Sequence, residues 1–205
     1  GCMQSKFSFL CNKKEFNAVI PMPGLHNIKN FLCSIATINL LKPDYIQKVI
    51  DSMLHFKGVK RRCNIIGTFN ESIVMDDYAH HPKEILSTTS SISSSLNNDQ
   101  RVIGVFEPHK ISRMMHSIND IAQAFKACSI VLVMDIYKAG EIGNTNDLKS
   151  KILAEIKNFT PCISIASTSQ DVIKNLNNMN ITSKDIILFM GAGLSSSIAY
   201  EIVKK

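Results

Sequence analysis

The spacing of hydrophobic and polar positions changes part-way along this chain. Residues 6–20 alternate loosely between apolar and polar and predict one or two strands, while apolar residues at helical spacing predict helices over 26–41 and 43–56. Beyond that point, short apolar runs alternate with longer amphipathic ones. The pattern therefore predicts a small segment over residues 1–59 and a larger domain over residues 60–205.

The larger segment has the pattern of an open α/β domain. Its short apolar runs predict six strands, at residues 64–67, 73–76, 101–106, 129–135, 162–165 and 185–190. Runs of helical period predict five helices, at residues 82–96, 114–126, 146–158, 170–178 and 194–204. Continuous apolar strands are typical of parallel sheets that are covered on both faces. We therefore expect an α/β fold with an open, mainly parallel sheet and helices on both faces.

Positive charge is concentrated in the first part of the chain. The whole sequence has a formal charge of +6, and residues 1–62 hold ten Lys and Arg against three Asp and Glu. Such a segment could bind nucleic acid, a membrane surface or a phosphorylated small molecule, or it could simply be solvated. The interleaved aromatic residues and motifs of RNA-binding proteins are missing, so a nucleotide explains the charge at least as well. We expect no nucleic acid and no membrane among the partners.

Cysteine use and hydropathy fit a cytoplasmic protein. The six cysteines, at positions 2, 11, 33, 63, 128 and 162, form no C-x-x-C pair, so neither a zinc site nor a redox dithiol is indicated. Cys33, Cys128 and Cys162 stand in apolar runs and are predicted to be small core residues. No run approaches the roughly 18 apolar residues of a membrane helix, and no signal peptide is evident. A reducing cytoplasm fits this usage.

The densest group of ligand-binding side chains lies in the stretch Asp76-Asp77-Tyr78-Ala79-His80-His81-Pro82. It follows a predicted strand and opens a predicted helix, where Pro82 suits the first turn. Open α/β sheets bind their ligands at such strand ends, so this loop is a candidate site. A polar loop that is only solvated, or that caps the helix, explains the same residues. A metal held by His80 and His81 is not indicated, because adjacent side chains diverge and no Cys or Glu stands at a ligand spacing.

Amides and arginines form two further candidate groups. Asn27 and Asn30 are three residues apart and would share a helix face beside His26. Two such amides suit the edge of an adenine ring, since each offers donors and an acceptor; alternatively, Asn27 caps the helix and the others are solvated. Arg61 and Arg62, at the predicted domain junction, could contact phosphate in a bidentate manner or pair with a surface carboxylate.

A basic cluster and a glycine-rich turn follow two other predicted strands. His109, Lys110 and Arg113 come after the strand at 101–106, where they could hold an anionic substrate or remain solvated. Gly191-Ala192-Gly193 opens the last predicted helix and has half of a dinucleotide-binding fingerprint. The third glycine of that fingerprint is missing, so we interpret the triplet as a closely packed turn.

Six blocks of the sequence resemble, in the same order, motifs of the ATP-dependent Mur ligases of peptidoglycan synthesis. They are PGLHNIKN (23–30), GVKRR (58–62), DDYAHHPKEI (76–85), VFEPHKISR (105–113), DIYKAGE (135–141) and GAG (191–193). Within the family, the resemblance is to ligases that join L-alanine to UDP-N-acetylmuramate. It implies the end of the central ATP-binding domain over residues 1–59, and a Rossmann-like Mur ligase C-terminal domain over residues 60–205.

The resemblance also implies roles for the candidate residues. The residues implied to bind ATP are His26, Asn27, Asn30, Arg61, Arg62 and Asp76. The family has one aspartate on the nucleotide from this loop, and it matches either Asp76 or Asp77. The residues implied to bind L-alanine and the muramate portion are Asp77, Tyr78, His80, His109, Lys110 and Arg113, with His80 and Arg113 as the catalytic pair. The family usually has Gln-Pro-His-Arg where this chain has EPHK at 107–110. Lysine keeps the charge there and loses the planar guanidinium.

The family's phosphate-binding loop does not occur in this sequence. No G-x-x-x-x-G-K-[ST] pattern is present, and phosphoryl transfer from ATP needs a backbone cradle, a lysine and Mg²⁺ ligands. In the family these parts and the UDP-sugar domain precede the segment that this chain resembles. We therefore expect the chain alone to be inactive, as a fragment, a truncated product or one half of a split ligase. A related ligase that attaches a tripeptide, and a binding module without catalysis, stay open as alternatives.

Overall fold

The computed structural model describes residues 4–97 and 99–203. The chain separates into two compact units, with the division between Val59 and Lys60. Cys2 and the end of the helix predicted at 194–204 lie outside the described residues. No helix in the described part of the chain is long and apolar enough to cross a membrane.

The first unit is a β-hairpin covered by helices. Strands β1 (Ser5–Cys11) and β2 (Lys14–Ile20) pair antiparallel around a tight turn. Helices α1 (Leu25–Leu41) and α2 (Ile46–Ser52) follow, with one-turn 3₁₀ helices on either side of α2. The core joins one face of the hairpin to both helices and contains Phe16, Ala18, Ile20, Phe31, Ile35, Ile46 and Ile50.

The second unit is built on a six-stranded sheet. Its strands are β3 (Asn64–Phe69), β4 (Ser72–Asp77), β5 (Val102–Phe106), β6 (Ile130–Val133), β7 (Cys162–Ser164) and β8 (Ile186–Met190). Their order across the sheet is β3-β4-β8-β5-β6-β7. All neighbours are parallel except β3 and β4. The prediction of an open, mainly parallel sheet is confirmed.

Helices cover both faces of this sheet. They are α3 (Pro82–Ser93), α4 (Ile111–Ala124), α5 (Asn146–Lys157), α6 (Ser169–Asn177) and α7 (Ser195–Ile202). Successive residues of β5 point to opposite faces, as the pleat requires. Val105 packs in the core cluster formed with α6 and α7, whereas the ring of Phe106 lies 5.0 Å from that of Phe125 at the end of α4.

Strand register sets the position of the candidate site. Met190, the last residue of β8, pairs with Asp77 at the end of β4 and with Phe106 at the end of β5. The carboxyl ends of these three parallel strands therefore lie side by side, with β8 in the middle. The loops that leave them, at 78–81, 107–110 and 191–194, start from one edge of the sheet, where open α/β sheets bind ligands.

Helix α4 begins at Ile111, three residues before its predicted start. The reason is a cap from outside the helix, because the Glu141 carboxylate accepts hydrogen bonds from the Ser112 backbone N–H (3.0 Å) and hydroxyl (2.6 Å). A carboxylate at a helix N-terminus also interacts favourably with the helix dipole. Arg113, which precedes the helix predicted at 114–126, therefore lies in the first turn of α4, and the predicted helix start is wrong by three residues.

The burial of the cysteines was predicted only in part. Cys128 is buried and Cys162 is half-buried. Cys33 is exposed, so its prediction as a core residue is wrong. The buried residues of α1 are Asn27, Phe31 and Ile35, which recur every four residues, and Cys33 lies between two of them on another face of the helix.

Candidate functional site

Two adjacent aspartates at the end of β4 are buried and differ in their contacts. Both oxygens of Asp77 are occupied by backbone donors, the N–H groups of Ala79 (2.7 Å) and Cys63 (2.8 Å). Asp76 accepts one bond, from the Ser196 hydroxyl at 2.7 Å, and its other oxygen is buried without a partner. Burial raises the pKa of Asp76 above its ordinary value. Asp77 thus shapes the start of the loop, while Asp76 keeps an unused acceptor.

Arg61 lies beside Asp76 at the same edge of the sheet. Its Nη2 donates to the Gly191 carbonyl at 2.8 Å, and its guanidinium lies 4.6 Å from the centre of the Tyr78 ring. Its Nε is 3.8 Å from Asp76 Oδ2, is buried and has no hydrogen-bond partner. Arg62 is exposed, 3.9 Å from a Glu84 oxygen. Arg61 Nε and Asp76 Oδ1 are thus a buried donor and a buried acceptor that no protein group satisfies, which is unusual in a protein interior and makes both atoms available to a polar ligand.

The orientation of His80 is fixed by its own loop. Its Nδ1 lies 2.8 Å from the Tyr78 carbonyl, which can only accept, so Nδ1 carries the proton and Nε2 is an acceptor in the neutral ring. Glu84 accepts the N–H groups of His80 and His81 at 3.2 Å each. His81 accepts the Lys83 N–H at 3.4 Å and completes a capping box with Glu84. His80 therefore faces the site, while His81 caps α3.

The loop after β5 brings a second imidazole against the first. The His109 ring centre lies 5.3 Å from that of His80 and 5.5 Å from that of Tyr137. Arg113 Nη1 is 3.5 Å from His109 Nδ1, the upper limit of a hydrogen bond. Burial, with His80, Arg113 and Lys110 nearby, lowers the pKa of His109. His109 is therefore favoured in the neutral form close to two cationic side chains.

The backbone of Lys110 adopts an uncommon conformation. Its φ is 68° and its ψ is 131°, a combination that residues other than glycine rarely adopt. The residue is held there by pairing with a neighbouring loop, since its N–H donates to the Tyr137 carbonyl at 2.8 Å. Strain of this kind is kept where the surrounding structure fixes it, often at functional sites.

The GAG turn encloses a carboxylate of the protein itself. The buried Glu107 accepts the N–H groups of Gly193 (2.8 Å) and Leu194 (2.7 Å) at the start of α7. A Cβ atom on Gly191 or Gly193 would lie within 2.9 Å of Glu107 atoms. Close packing therefore explains both glycines, and the anion-binding N-terminus of α7 is occupied by Glu107.

The three candidates of the first unit differ in exposure. Asn27 is buried, and its Nδ2 donates to the Pro23 carbonyl at 2.8 Å. His26 is half-buried and Asn30 is exposed. The two amides are thus not equivalent, because one hydrogen of Asn27 is committed to its own helix start.

Sequence reasoning missed three residues of the site. Glu107 lies in the block 105–113 and Tyr137 lies in the block 135–141, so their place in these two motifs is a signal that could have identified both. Ser196 carried no sequence signal. No group of three or more His, Cys, Asp or Glu side chains suited to a metal occurs in residues 4–97 and 99–203.

Known proteins are similar to this chain in sequence. Residues 61–193 match the family described as Mur ligase, glutamate ligase domain. The UDP-N-acetylmuramate–L-alanine ligase of Rickettsia canadensis is 36% identical over 189 residues, covering 91% of this chain and 39% of the relative. The corresponding ligase of Hydrogenobaculum sp. is 34% identical over 186 residues, covering 90% and 40%. The chain thus spans about 40% of the length of these relatives.

A solved structure agrees with these matches. The UDP-N-acetylmuramate-alanine ligase of Thermotoga maritima superposes with a TM-score of 0.75 at 23% identity, covering 94% of this chain and 40% of that one. At 23% identity, this similarity shows that the two chains have the same fold. The family match over residues 61–193 takes in the β3–β8 sheet, the loops at 78–81 and 107–110, and the first three residues of the turn at 191–194. The chain therefore belongs to the Mur ligase family.

Proposed function

We propose that this chain is the C-terminal portion of a cytoplasmic, ATP-dependent ligase that joins L-alanine to UDP-N-acetylmuramate in peptidoglycan synthesis. The observation that carries the proposal is the meeting of two strand-end loops. They bring His80 and His109 to 5.3 Å from each other, with Arg113 next to His109. Imidazole and guanidinium groups suit an amine nucleophile and a carboxylate. Relatives of 34–36% identity bear the name of this ligase.

In the proposed reaction ATP phosphorylates the lactyl carboxylate of the muramate. The amine of L-alanine then attacks the acyl phosphate, and phosphate leaves. Because its Nδ1 faces the Tyr78 carbonyl, the unprotonated His80 ring presents Nε2 as an acceptor, which can take a hydrogen bond or a proton from the attacking amine. Arg113 can hold the alanine carboxylate through two parallel N–H donors. Tyr78, His109 and Lys110 complete the proposed amino-acid and muramate side of the site, and Asp77 supports it by shaping the loop.

On the nucleotide side we propose Arg61, Arg62 and Asp76 in the second unit. Arg61 Nε and Asp76 Oδ1 are a buried donor and acceptor without partners, a combination that suits a ribose hydroxyl. In the first unit, taken by itself, the resemblance of the block 23–30 to the family supports His26, Asn27 and Asn30 as adenine contacts of the parent ligase. We assign no Mg²⁺ ligand to this chain. In the proposal, Mg²⁺ and the phosphates are bound by an N-terminal part that contains the phosphate-binding loop.

The 205-residue chain alone is expected to catalyse no ATP-dependent ligation. A site that contacts only base and ribose forgoes the phosphate contacts, so ATP should bind weakly, with a Kd on the order of millimolar. The assay is phosphate release with UDP-N-acetylmuramate, L-alanine, ATP and Mg²⁺, on the chain alone and mixed with a separately made N-terminal part. Activity only on mixing supports the proposal. Turnover by the chain alone contradicts the proposal. No activity in either assay supports a binding module without catalysis. Turnover with a tripeptide in place of L-alanine identifies the related ligase.

Replacing Lys110 by arginine is expected to leave activity intact or to lower the KM for UDP-N-acetylmuramate. Both side chains carry the charge, both meet the same backbone strain, and arginine adds a bidentate fork. Lys110→Ala is the matched control, because it keeps the strained backbone and removes the charge. Steady-state kinetics on the mixed enzyme measures both. A large loss of activity in Lys110→Arg would show that this pocket requires the compact ammonium.

A further inference from the structure

Glu107 joins the two halves of the candidate site. It directly follows β5, and its backbone N–H donates to the Met190 carbonyl at 2.9 Å. Its side chain is 1% exposed and accepts three backbone N–H groups, those of Gly193 (2.8 Å), Leu194 (2.7 Å) and Ser195 (3.4 Å). The first turn of a helix offers backbone N–H groups without partners inside the helix, and the Glu107 oxygens accept them here.

The turn whose N–H groups Glu107 accepts also contacts Arg61 and the end of β4. The Gly191 carbonyl accepts a hydrogen bond from Arg61 Nη2 at 2.8 Å, and the Gly191 N–H donates to the Asp77 carbonyl at 3.3 Å. A displacement of this turn would therefore carry the guanidinium of Arg61 with it. The turn at 191–194 is thus a shared support for the loops that leave β4 and β5.

The Tyr137 ring contacts the same turn. An added Cβ on Gly193 would lie 2.8 Å from Tyr137 Cγ, so the ring packs directly on that glycine. The backbone of Tyr137 pairs with the loop after β5, through its N–H to the Pro108 carbonyl and its carbonyl to the Lys110 N–H, both at 2.8 Å. Glu107 and Tyr137 therefore enclose Gly193 and connect it to the residues on either side of His109.

We propose that Glu107 is a positioning residue, whose carboxylate holds the 191–194 turn and thereby sets His109 against His80 and Arg61 against Asp76. The contacts within the chain carry this inference. Only its consequence for catalysis rests on the proposed function. Glu107 itself is placed to act through the turn and the His109 loop, away from the reacting atoms.

The two acceptor oxygens of Glu107 are the part of the side chain that matters. A carboxylate offers two acceptor oxygens to the N–H groups of Gly193 and Leu194. The family usually has glutamine at this position, but in this chain both Glu107 oxygens accept backbone N–H groups. A glutamine offers one oxygen and an NH₂ group, so one of these backbone donors would face another donor in a buried place. Glu107→Gln is therefore expected to loosen the turn without removing volume.

The test uses the 205-residue chain and two variants of buried carboxylates. Asp185→Asn is the matched control, because Asp185 is also 1% exposed and accepts the Thr182 N–H at 2.8 Å, at the opposite end of β8. NMR measures hydrogen exchange at the Gly193 and Leu194 amides and the pKa of His109. In Glu107→Gln we expect those amides to exchange about tenfold faster, the order expected for one lost buried hydrogen bond. We also expect the pKa of His109 to rise towards its ordinary value as the ring gains solvent.

The control separates positioning from general loss of stability. Asp185→Asn should lower the unfolding midpoint and leave both the Gly193 and Leu194 amides and the pKa of His109 as they are. If Glu107→Gln changes neither, or if Asp185→Asn changes both equally, the positioning role is overturned. Should Glu107→Gln fail to fold, Glu107→Asp keeps the charge and withdraws the carboxylate by one methylene; it should show the same pKa change.

A kinetic measurement separates this inference from the proposed function. In the mixture with the N-terminal part, Glu107→Gln should raise the KM for L-alanine by about tenfold, matching one weakened contact. If the wild-type mixture is inactive while the NMR changes occur, the proposed function fails and the positioning role stands. If the wild-type mixture is active and the alanine KM of Glu107→Gln is unchanged, the positioning role is overturned.

Discussion

Replacing His80 by alanine should slow ligation of L-alanine by about 100-fold in the complete ligase, with the KM for ATP changed by no more than about twofold. The size follows from the contribution of a positioned acid–base group, which is typically about 10²–10⁴-fold. His80 is held with Nε2 as the acceptor by the Tyr78 carbonyl at 2.8 Å, and Arg113 approaches the neighbouring His109. Arg113→Ala should act on the same step, chiefly through the KM for L-alanine.

The adjacent histidine provides the control. His81→Ala removes the side chain that caps α3, so it should cost about 0.5–2 kcal/mol of stability without changing the dependence on L-alanine. Steady-state kinetics with titrated ATP and L-alanine, together with thermal unfolding, measures all three variants. An equal loss of ATP affinity in His80→Ala, with no change in alanine dependence, would show that His80 does not belong to the amino-acid side.

The local patterns of the sequence were sufficient to predict the elements of the second unit. The continuous apolar run at 129–135 predicted β6, and Pro82 marked the start of α3. The alternation of strands and helices predicted the mainly parallel sheet. These features depend on neighbours in sequence, for which side-chain period and turn chemistry are direct signals.

The order of the strands was beyond such signals. β8 lies between β4 and β5 although it is the last strand of the chain. This placement brings the turn at 191–194 between the two candidate loops and makes its N–H groups the partners of Glu107, more than 80 residues away in sequence. Pairing over such distances is decided by packing of the whole domain. A buried carboxylate with backbone partners therefore looked, in the sequence, like any glutamate after a strand.

Exposure within a helix was likewise predicted only where the apolar stripe was clear. Asn27 and Asn30 were expected to share a helix face, yet Asn27 turns towards Pro23 and is buried while Asn30 is exposed. A spacing of three residues corresponds to about 300° around a helix of 3.6 residues per turn, so such pairs can straddle the edge of a buried stripe. Contacts just before the helix then decide which side chain is buried.

Replacing Gly193 by alanine is expected to destabilise the chain by about 1–3 kcal/mol, the usual cost of overpacking a well-packed position. The added Cβ would lie 2.8 Å from Tyr137 Cγ and 2.9 Å from both carboxylate oxygens of Glu107. Neither neighbour can withdraw cheaply. Tyr137 is fixed by backbone pairing with the His109 loop, and Glu107 is fixed by the N–H groups of the same turn.

Gly143→Ala is the matched control for this substitution. A Cβ at Gly143 would meet only Ile111 Cδ1 at 3.0 Å, the end of a flexible side chain, so stability should change by less than about 0.5 kcal/mol. Thermal unfolding of both variants measures the difference, and each kcal/mol should lower the midpoint by about 2–4 °C in a domain of this size. If Gly193→Ala is as stable as the wild type, the turn has room for a side chain. Close packing against Glu107 and Tyr137 would then no longer explain the glycine, and the approach of a ligand to the 191–193 backbone would become the better explanation.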